Sequence, residues 1–394
     1  MGIQRGLLLP YNRFNKEEVM IRLKKEGFTL VELIITMSIF VIGIMLVSNL
    51  FINQLNLSRQ QSAIVETNVE GIIGLEILRR DIENAGYGLP WVIPTGITYT
   101  ASETFNATPC GTGTTANPQT FNDNPPNAPR AIVSGNNTCF NNSDYLVIKA
   151  INVATNNTSK KWALLKNTGV LRSDISGDAF KNSDRVIVLD PGTSETTMRT
   201  LVVSGSTFFK QYNAVTNFAP QDSTTTRIIY GIRDGADPKV PFNRAGYYIN
   251  ASHVPLRCAS GTGVLYKATM NHGSISGTNQ FTELPLLDCV ADMQVIFGID
   301  NDGDGDFEPG VVDSRDGYTD DISTQDAKWI RERVKEVRVY ILAQEGQMDR
   351  NYSYPHNEIT VGEFGLGRIV SIRPDWKHYR WKVYTLIVKP NNLR

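Results

Sequence analysis

The chain has 394 residues, 41% of them apolar and 20% charged, a balance that fits a folded protein with an added apolar segment. Lys and Arg number 39 against 40 Asp and Glu, a formal net charge of −1, which excludes a global basic field for nucleic acid. Only one segment is long and apolar enough to enter a membrane.

That segment stands near the start. Residues 1–27 carry Arg5, Arg13, Lys16, Arg22, Lys24 and Lys25 against Glu17, Glu18 and Glu26, and a positive excess beside an apolar run is kept in the cytoplasm. The run itself, Phe28 to Phe51, would be about 36 Å long as a helix, enough for a bilayer core of about 30 Å. Everything after it is expected outside the cytoplasm. A secretory signal carries its small-residue cleavage site after the apolar run. Here Gly27 stands before it, so cleavage there would leave the membrane helix on the mature chain. Glu32 is the odd residue, because a carboxylate in a membrane helix is expensive and points to function. Cleavage after Gly27 would create a cation at the same depth, the amine of Phe28, which could pair with Glu32 of a neighbouring subunit. A carboxylate that snorkels or takes up a proton is the plainer alternative.

Lys24-Lys25-Glu26-Gly27-Phe28-Thr29-Leu30-Val31-Glu32-Leu33 resembles the cleavage and methylation motif of type IV prepilins and type II secretion pseudopilins. The resemblance implies a prepilin peptidase that removes residues 1–27 and N-methylates Phe28, with Glu32 acting in assembly. It also implies an inner-membrane precursor, its head in the periplasm, that an inner-membrane assembly platform builds into a surface pilus.

Beyond Asn53 the pattern turns amphipathic. Leu57, Ile64, Gly71, Leu75, Leu78, Ile82 and Ala85 fall on one stripe, with Glu66, Glu70, Arg80 and Asp81 off it. One helix from Phe28 to about Asn84 is predicted, on the order of 85 Å long, ended by Gly86-Tyr87-Gly88-Leu89-Pro90. Gly43, Gly71 and Gly74 within it allow bending or close packing, or are merely tolerated. The organisation expected is a leader at 1–27, a membrane or filament-core helix at 28–52, an amphipathic half at 53–89 and a β-rich head at 90–394.

Residues 91–142 read as irregular loops, rich in Thr, Asn, Pro and Gly. Strands are predicted at 145–150, 162–165, 185–189, 200–203, 227–231, 263–267, 293–297, 334–342 and 381–388, with a short helix over 325–333. Hairpin pairing between neighbours points to antiparallel sheets. The fold class is α+β, a long N-terminal helix packed on a large antiparallel head with loop insertions. Cys110, Cys139, Cys258 and Cys289 form no CxxC or CxH pattern, which argues against zinc. An even count outside the cytoplasm reads as disulfides. Of three connectivities the sequential one, Cys110–Cys139 and Cys258–Cys289, is the expectation; buried free thiols are the alternative.

Leu78-Arg79-Arg80-Asp81-Ile82-Glu83-Asn84-Ala85-Gly86-Tyr87 resembles the helix end of the minor pilins of the PilW family. Residues 285–295 with the acidic loop after them, 333–343 and 379–388 resemble its later core. The resemblance implies a minor subunit that joins other minor pilins and the major pilin, primes assembly and carries a tip adhesin.

Asp300-Asn301-Asp302-Gly303-Asp304-Gly305-Asp306-Phe307-Glu308 matches D-x-D-x-D-G, a spacing that sets alternate carboxylates around one hard cation. Asp300, Asp302 and Asp304 would be ligands, with the Asp306 carbonyl and Glu308, and Asp313 or Asp316 completing the shell around Ca²⁺. The twelfth position is Val311, so this is not an EF-hand, and a solvated acidic loop is the alternative reading.

No HExxH, GxSxG, Walker A or helix-opening GxGxxG occurs, and the four histidines, His253, His272, His356 and His378, are far apart in sequence. An enzyme is not expected. The run 376–382 interleaves aromatic and basic residues and could stack on nucleic acid or sugars; it reads better as a half-buried strand with Tyr379, Trp381 and Val383 on one face and Arg380 and Lys382 on the other. Three functions are thus weighed: a minor pilin active in pilus initiation, a minor pseudopilin of type II secretion, and a pilus-borne binding module.

Overall fold

A computed structural model of the chain describes residues 27, 29–99, 121, 123, 125–172, 179–272, 281–310 and 316–393. The chain forms two compact units, 1–58 and 59–394. Helix α1 (Leu30–Glu83) starts in the first unit and ends in the second. In the first unit its apolar side chains are exposed on every side, among them Leu30, Phe40, Val47 and Leu50. A helix that is apolar all round is made for lipid or for packing against other helices, not for water.

In the second unit the predicted stripe is real: Ile64 is half-buried beside Gly346, and burial deepens from Gly71 onward. Leu78, Ile82 and Ala85 are fully buried, whereas Leu57, in the first unit, is exposed. Gly74 serves close packing: a Cβ there would lie 2.3 Å from the Leu286 carbonyl oxygen. The stripe also holds a polar member that the pattern placed outside it. Asp81 is buried, and its Oδ2 accepts from Lys267 Nζ and from Tyr247 Oη, each at 2.5 Å.

The head contains strands β1 (Ile132–Gly135), β2 (Tyr145–Lys149), β3 (Trp162–Lys166), β4 (Gly169–Arg172), β5 (Arg185–Asp190), β6 (Thr200–Leu201), β7 (Lys210–Gln211) and β8 (Arg227–Arg233). They are followed by β9 (Arg244–Asn250), β10 (Gly263–Met270), β11 (Phe281–Ile299), β12 (Gly317–Thr319), helix α2 (Ala327–Arg333), β13 (Val334–Glu345), β14 (Glu358–Val361), β15 (Arg368–Ser371) and β16 (Arg380–Val388). Among the described residues the main sheet has eight strands in the order β1-β2-β9-β10-β11-β13-β16, with β12 on β11. A second sheet, β4-β3-β8-β5-β6 with β7 on β5, is inserted in sequence between β2 and β9. The ladders are antiparallel, as expected, but neighbour hairpins do not build them alone: β2 pairs β9 across the insertion, and β3 pairs β8 within it.

The main sheet is covered on both faces. From β13, Val337, Val339, Ile341 and Ala343 enter the core shared with Leu78 and Ile82. Tyr340 and Leu342 point to the opposite face, under the β14–β15 hairpin. Two covered faces explain the unbroken apolar run at 339–343 within β13. The region 91–142, read as loops, contributes the edge strand β1. Its four residues are too few for a period to show.

Candidate functional site

The first turn of α1 is built by a reciprocal cap. Glu32 Oε2 accepts from the Thr29 amide and from Thr29 Oγ1, each at 3.2 Å, and the Glu32 amide donates to Thr29 Oγ1 at 3.3 Å. This is a capping box, Thr-Leu-Val-Glu, which satisfies helix-end amides that otherwise lack partners. The carboxylate is thereby aimed at the N-terminal end of the helix. Phe28 and the leader to residue 26 lie outside the described residues. Gly27 is exposed, and a Cβ there would meet nothing within 4 Å, so packing does not demand glycine at this position.

The acidic loop joins β11 to β12. Asp300, 1% exposed, closes the strand: its Oδ1 accepts from the Gly303 amide at 2.5 Å and its Oδ2 from the Gly305 amide at 3.1 Å. Asp302 and Asp304 are exposed, and Asp304 Oδ1 accepts from the Asp306 amide at 2.9 Å. One oxygen from each of Asp300, Asp302 and Asp304 lies within 4.8 Å of the others, a group that could hold a metal ion. Hard oxygen donors in this arrangement suit Ca²⁺ chemistry. Arg333 and Lys335 stand 3.8 and 3.5 Å from the Asp300 oxygens, so part of the charge repulsion is relieved within the chain. Asp316 acts as a brace, accepting from the Asn301 and Glu308 amides at 3.0 and 2.8 Å. Asp313 lies outside the described residues. The Glu308 and Asp306 side chains are exposed.

Cys258 and Cys289 form a disulfide with Cα atoms 4.9 Å apart. Cys289 has φ +56°, beside a register shift in β11. Cys139 is also disulfide-bonded; its expected partner, Cys110, lies outside the described residues.

The aromatic and basic run at 376–382 is structural. Trp376 and Trp381 are 4% and 7% exposed, and their indole N–H groups donate to the carbonyls of Ser260 and Trp376. Lys377 Nζ caps the carbonyl of His356 at 2.8 Å, and Arg380 pairs with Asp349 at 3.0 Å. Neither indole face is open for a base or a sugar to stack on.

The head also buries charge that sequence reasoning missed. Lys149 is fully buried against Asp123 at 2.5 Å, and burial lowers its pKa to about 8. Arg130 holds the other Asp123 oxygen at 2.7 Å. Burial raises the pKa of Asp81, against the pull of Lys267. The one buried histidine among those described, His272, is lowered to about 3 by burial and by Arg233. No periodicity marks such residues, because the partner that each one meets stands elsewhere in the chain.

An apolar N-terminal helix that opens on a capped glutamate, on a chain with a large antiparallel head, is consistent with an α+β pilin. Residues 22–48 match the prokaryotic N-terminal methylation motif. Residues 246–392, from β9 to the C-terminal end, match type IV pilus-assembly protein W. Together the two matches support a PilW-like minor pilin of the type IV pilus, and the methylation motif with its apolar helix fits a chain anchored in the inner membrane and later assembled into the pilus. That family is a structural component of the pilus. Comparison with curated proteins and with solved structures gave no match.

Proposed function

We propose that this minor pilin acts in initiation of the type IV pilus, in a tip or priming complex with other minor pilins. The observation that carries the reading is the size of the head, which fills most of the 59–394 unit. A unit of that size has a radius of gyration of roughly 20 Å, against about 13 Å for 100 residues. Repeating it along a tightly packed fibre is sterically awkward; a rare subunit at the tip avoids the clash. Prepilin peptidase would cut between Gly27 and Phe28 and methylate the new amine. Freedom from packing at Gly27 supports glycine being kept there for processing. The Phe28 amine would then pair with Glu32 of a neighbouring subunit as the chain leaves the assembly platform, with the major pilin following and a tip adhesin ahead. Deleting the gene should abolish or sharply reduce surface pili and twitching; normal piliation in the deletion strain would reject the reading.

A second reading concerns the acidic loop, favoured by the proximity of the Asp300, Asp302 and Asp304 oxygens. Ca²⁺ held there, with the Asp306 carbonyl, Glu308 and Asp313 as further donors, would rigidify the turn between β11 and β12. Calorimetric titration of the detergent-solubilised chain tests it: heat and a raised Tm at millimolar Ca²⁺ are expected, and their absence would remove the site.

A further inference from the structure

The β14–β15 hairpin ends in Gly362-Glu363-Phe364-Gly365-Leu366-Gly367. Phe364 sits there at φ +60°, a left-handed conformation that is an outlier for a bulky residue. Such a residue persists only where its surroundings hold it, and the observation leads to a question of function. Here the strain holds the ring flat on Tyr318, centroids 3.9 Å apart and planes 4° apart. Phe307, from the acidic loop, meets Tyr318 edge-on at 5.4 Å. Gly298 makes room for this contact, since a Cβ there would lie 2.6 Å from the Phe307 ring.

Arg338 lies 4.9 Å from the centroids of both stacked rings. It is fixed by Glu336 at 2.5 Å, Glu363 at 2.7 Å and Tyr318 Oη at 2.9 Å. The result is a rigid aromatic platform whose outermost ring, Phe364, remains 56% exposed. Rigid aromatics beside a fixed arginine are the composition of interface anchors. Most of the exposed charge around the platform is acidic; the nearby Arg333 and Lys335, 30% and 13% exposed, are drawn to the buried Asp300. Glu363 is 45% exposed, and on the side of Phe307 stand the exposed Asp302, Asp304, Asp306 and Glu308. Arg338, by contrast, is only 15% exposed beneath the rings.

We infer that the Phe364–Tyr318 platform and its acidic rim form a docking surface for a lysine- and arginine-bearing face of another subunit of the same pilus. The apolar ring supplies contact area that excludes water. The rim supplies charge complementarity, which speeds encounter and rejects acidic faces. This inference rests on the pilin reading but not on the divalent-ion reading of the loop.

The test uses the full chain in piliated cells, with the photo-crosslinking residue p-benzoylphenylalanine in place of Phe364 or, as a control, of Leu171, which is 53% exposed in β4. Crosslinked products are identified by mass spectrometry. Expected is an adduct at position 364 with a second prepilin-type subunit, absent at position 171. Glu363→Lys should reduce it at least about tenfold, equivalent to about 1.4 kcal/mol. If Glu363→Lys does not accumulate, Glu363→Gln, which can still accept from Arg338, should reduce it several-fold. No adduct at 364, an equal adduct at 171, an adduct with a non-pilus protein or indifference to both Glu363 variants would overturn the inference. Intact piliation on gene deletion would reject the proposed role in initiation. A strain that needs the chain for piliation yet gives no adduct at 364 would reject the docking surface alone.

Discussion

Removing the Asp81 carboxylate should be among the most damaging single changes to the head. The side chains of Asp81 and Lys267 are 10% and 8% exposed and meet at 2.5 Å. Asp81→Ala would leave the Lys267 ammonium buried without this anion, and breaking a buried pair on one side costs about 3–5 kcal/mol. The fully buried Tyr247 hydroxyl would lose its acceptor as well, a further loss of about 1 kcal/mol or more. The two penalties share a site and need not add fully. Because Asp81 is on α1 while its partners are on β9 and β10, the damage falls on the seam between helix and sheet. Chemical unfolding of the full chain in detergent, followed by the fluorescence of the buried Trp376 and Trp381, reads the change. Asp81→Leu combined with Lys267→Met should recover most of the loss, since an apolar pair of similar volume removes both charges. A single substitution costing less than about 1 kcal/mol, or a double variant as unstable as the sum of the singles, would refute the account of this seam.

His272 makes the head sensitive to acid. Its Nε2 donates to Asn243 Oδ1 at 2.8 Å and its Nδ1 accepts from the Lys239 amide at 3.2 Å, so the neutral ring is the one that fits. With the folded pKa depressed to about 3, only the unfolded chain takes up this proton below an unfolded pKa of about 6.5. Stability should hold above that pH and fall progressively as pH drops from about 6.5 toward 3; a His272→Gln variant with an equally steep loss over that window would exclude this origin. Cys258→Ser with Cys289→Ser should lower stability by about 2–5 kcal/mol, read as a lower denaturant midpoint; an unchanged midpoint would mean that the bond constrains nothing. Glu32→Ala should still be cleaved but enter pili poorly, measured by immunoblot of sheared fibres; wild-type incorporation would refute the pairing with a neighbour's amine.

The N-terminal methylation motif was legible because its pattern is local. Gly27, Phe28 and Glu32 lie within six residues, and a membrane helix declares itself by composition. The same window also held the Thr29–Glu32 capping box, a pattern visible in sequence that was read only as an assembly motif. Long strands such as β13 and β16 were legible by their apolar runs. The short ones, β1, β4, β12, β14 and β15, were not, since three or four residues show no period, and the seven-residue β9, whose apolar positions are broken by Gly246, was missed as well. Asp81 misled for a different reason. Periodicity ranks residues by polarity, and it cannot see that Tyr247 and Lys267 arrive from strands far along the chain to donate to a carboxylate in the core. The aromatic and basic run at 376–382 was resolved by packing, which turned both indoles inward.

The most direct measurement is mass spectrometry of the chain recovered from sheared pili. The account predicts a mature protein that begins at Phe28, N-methylated, and is present at a small fraction of the major subunit. A chain that retains residues 1–27, or one missing from the fibres of a normally piliated strain, would contradict it.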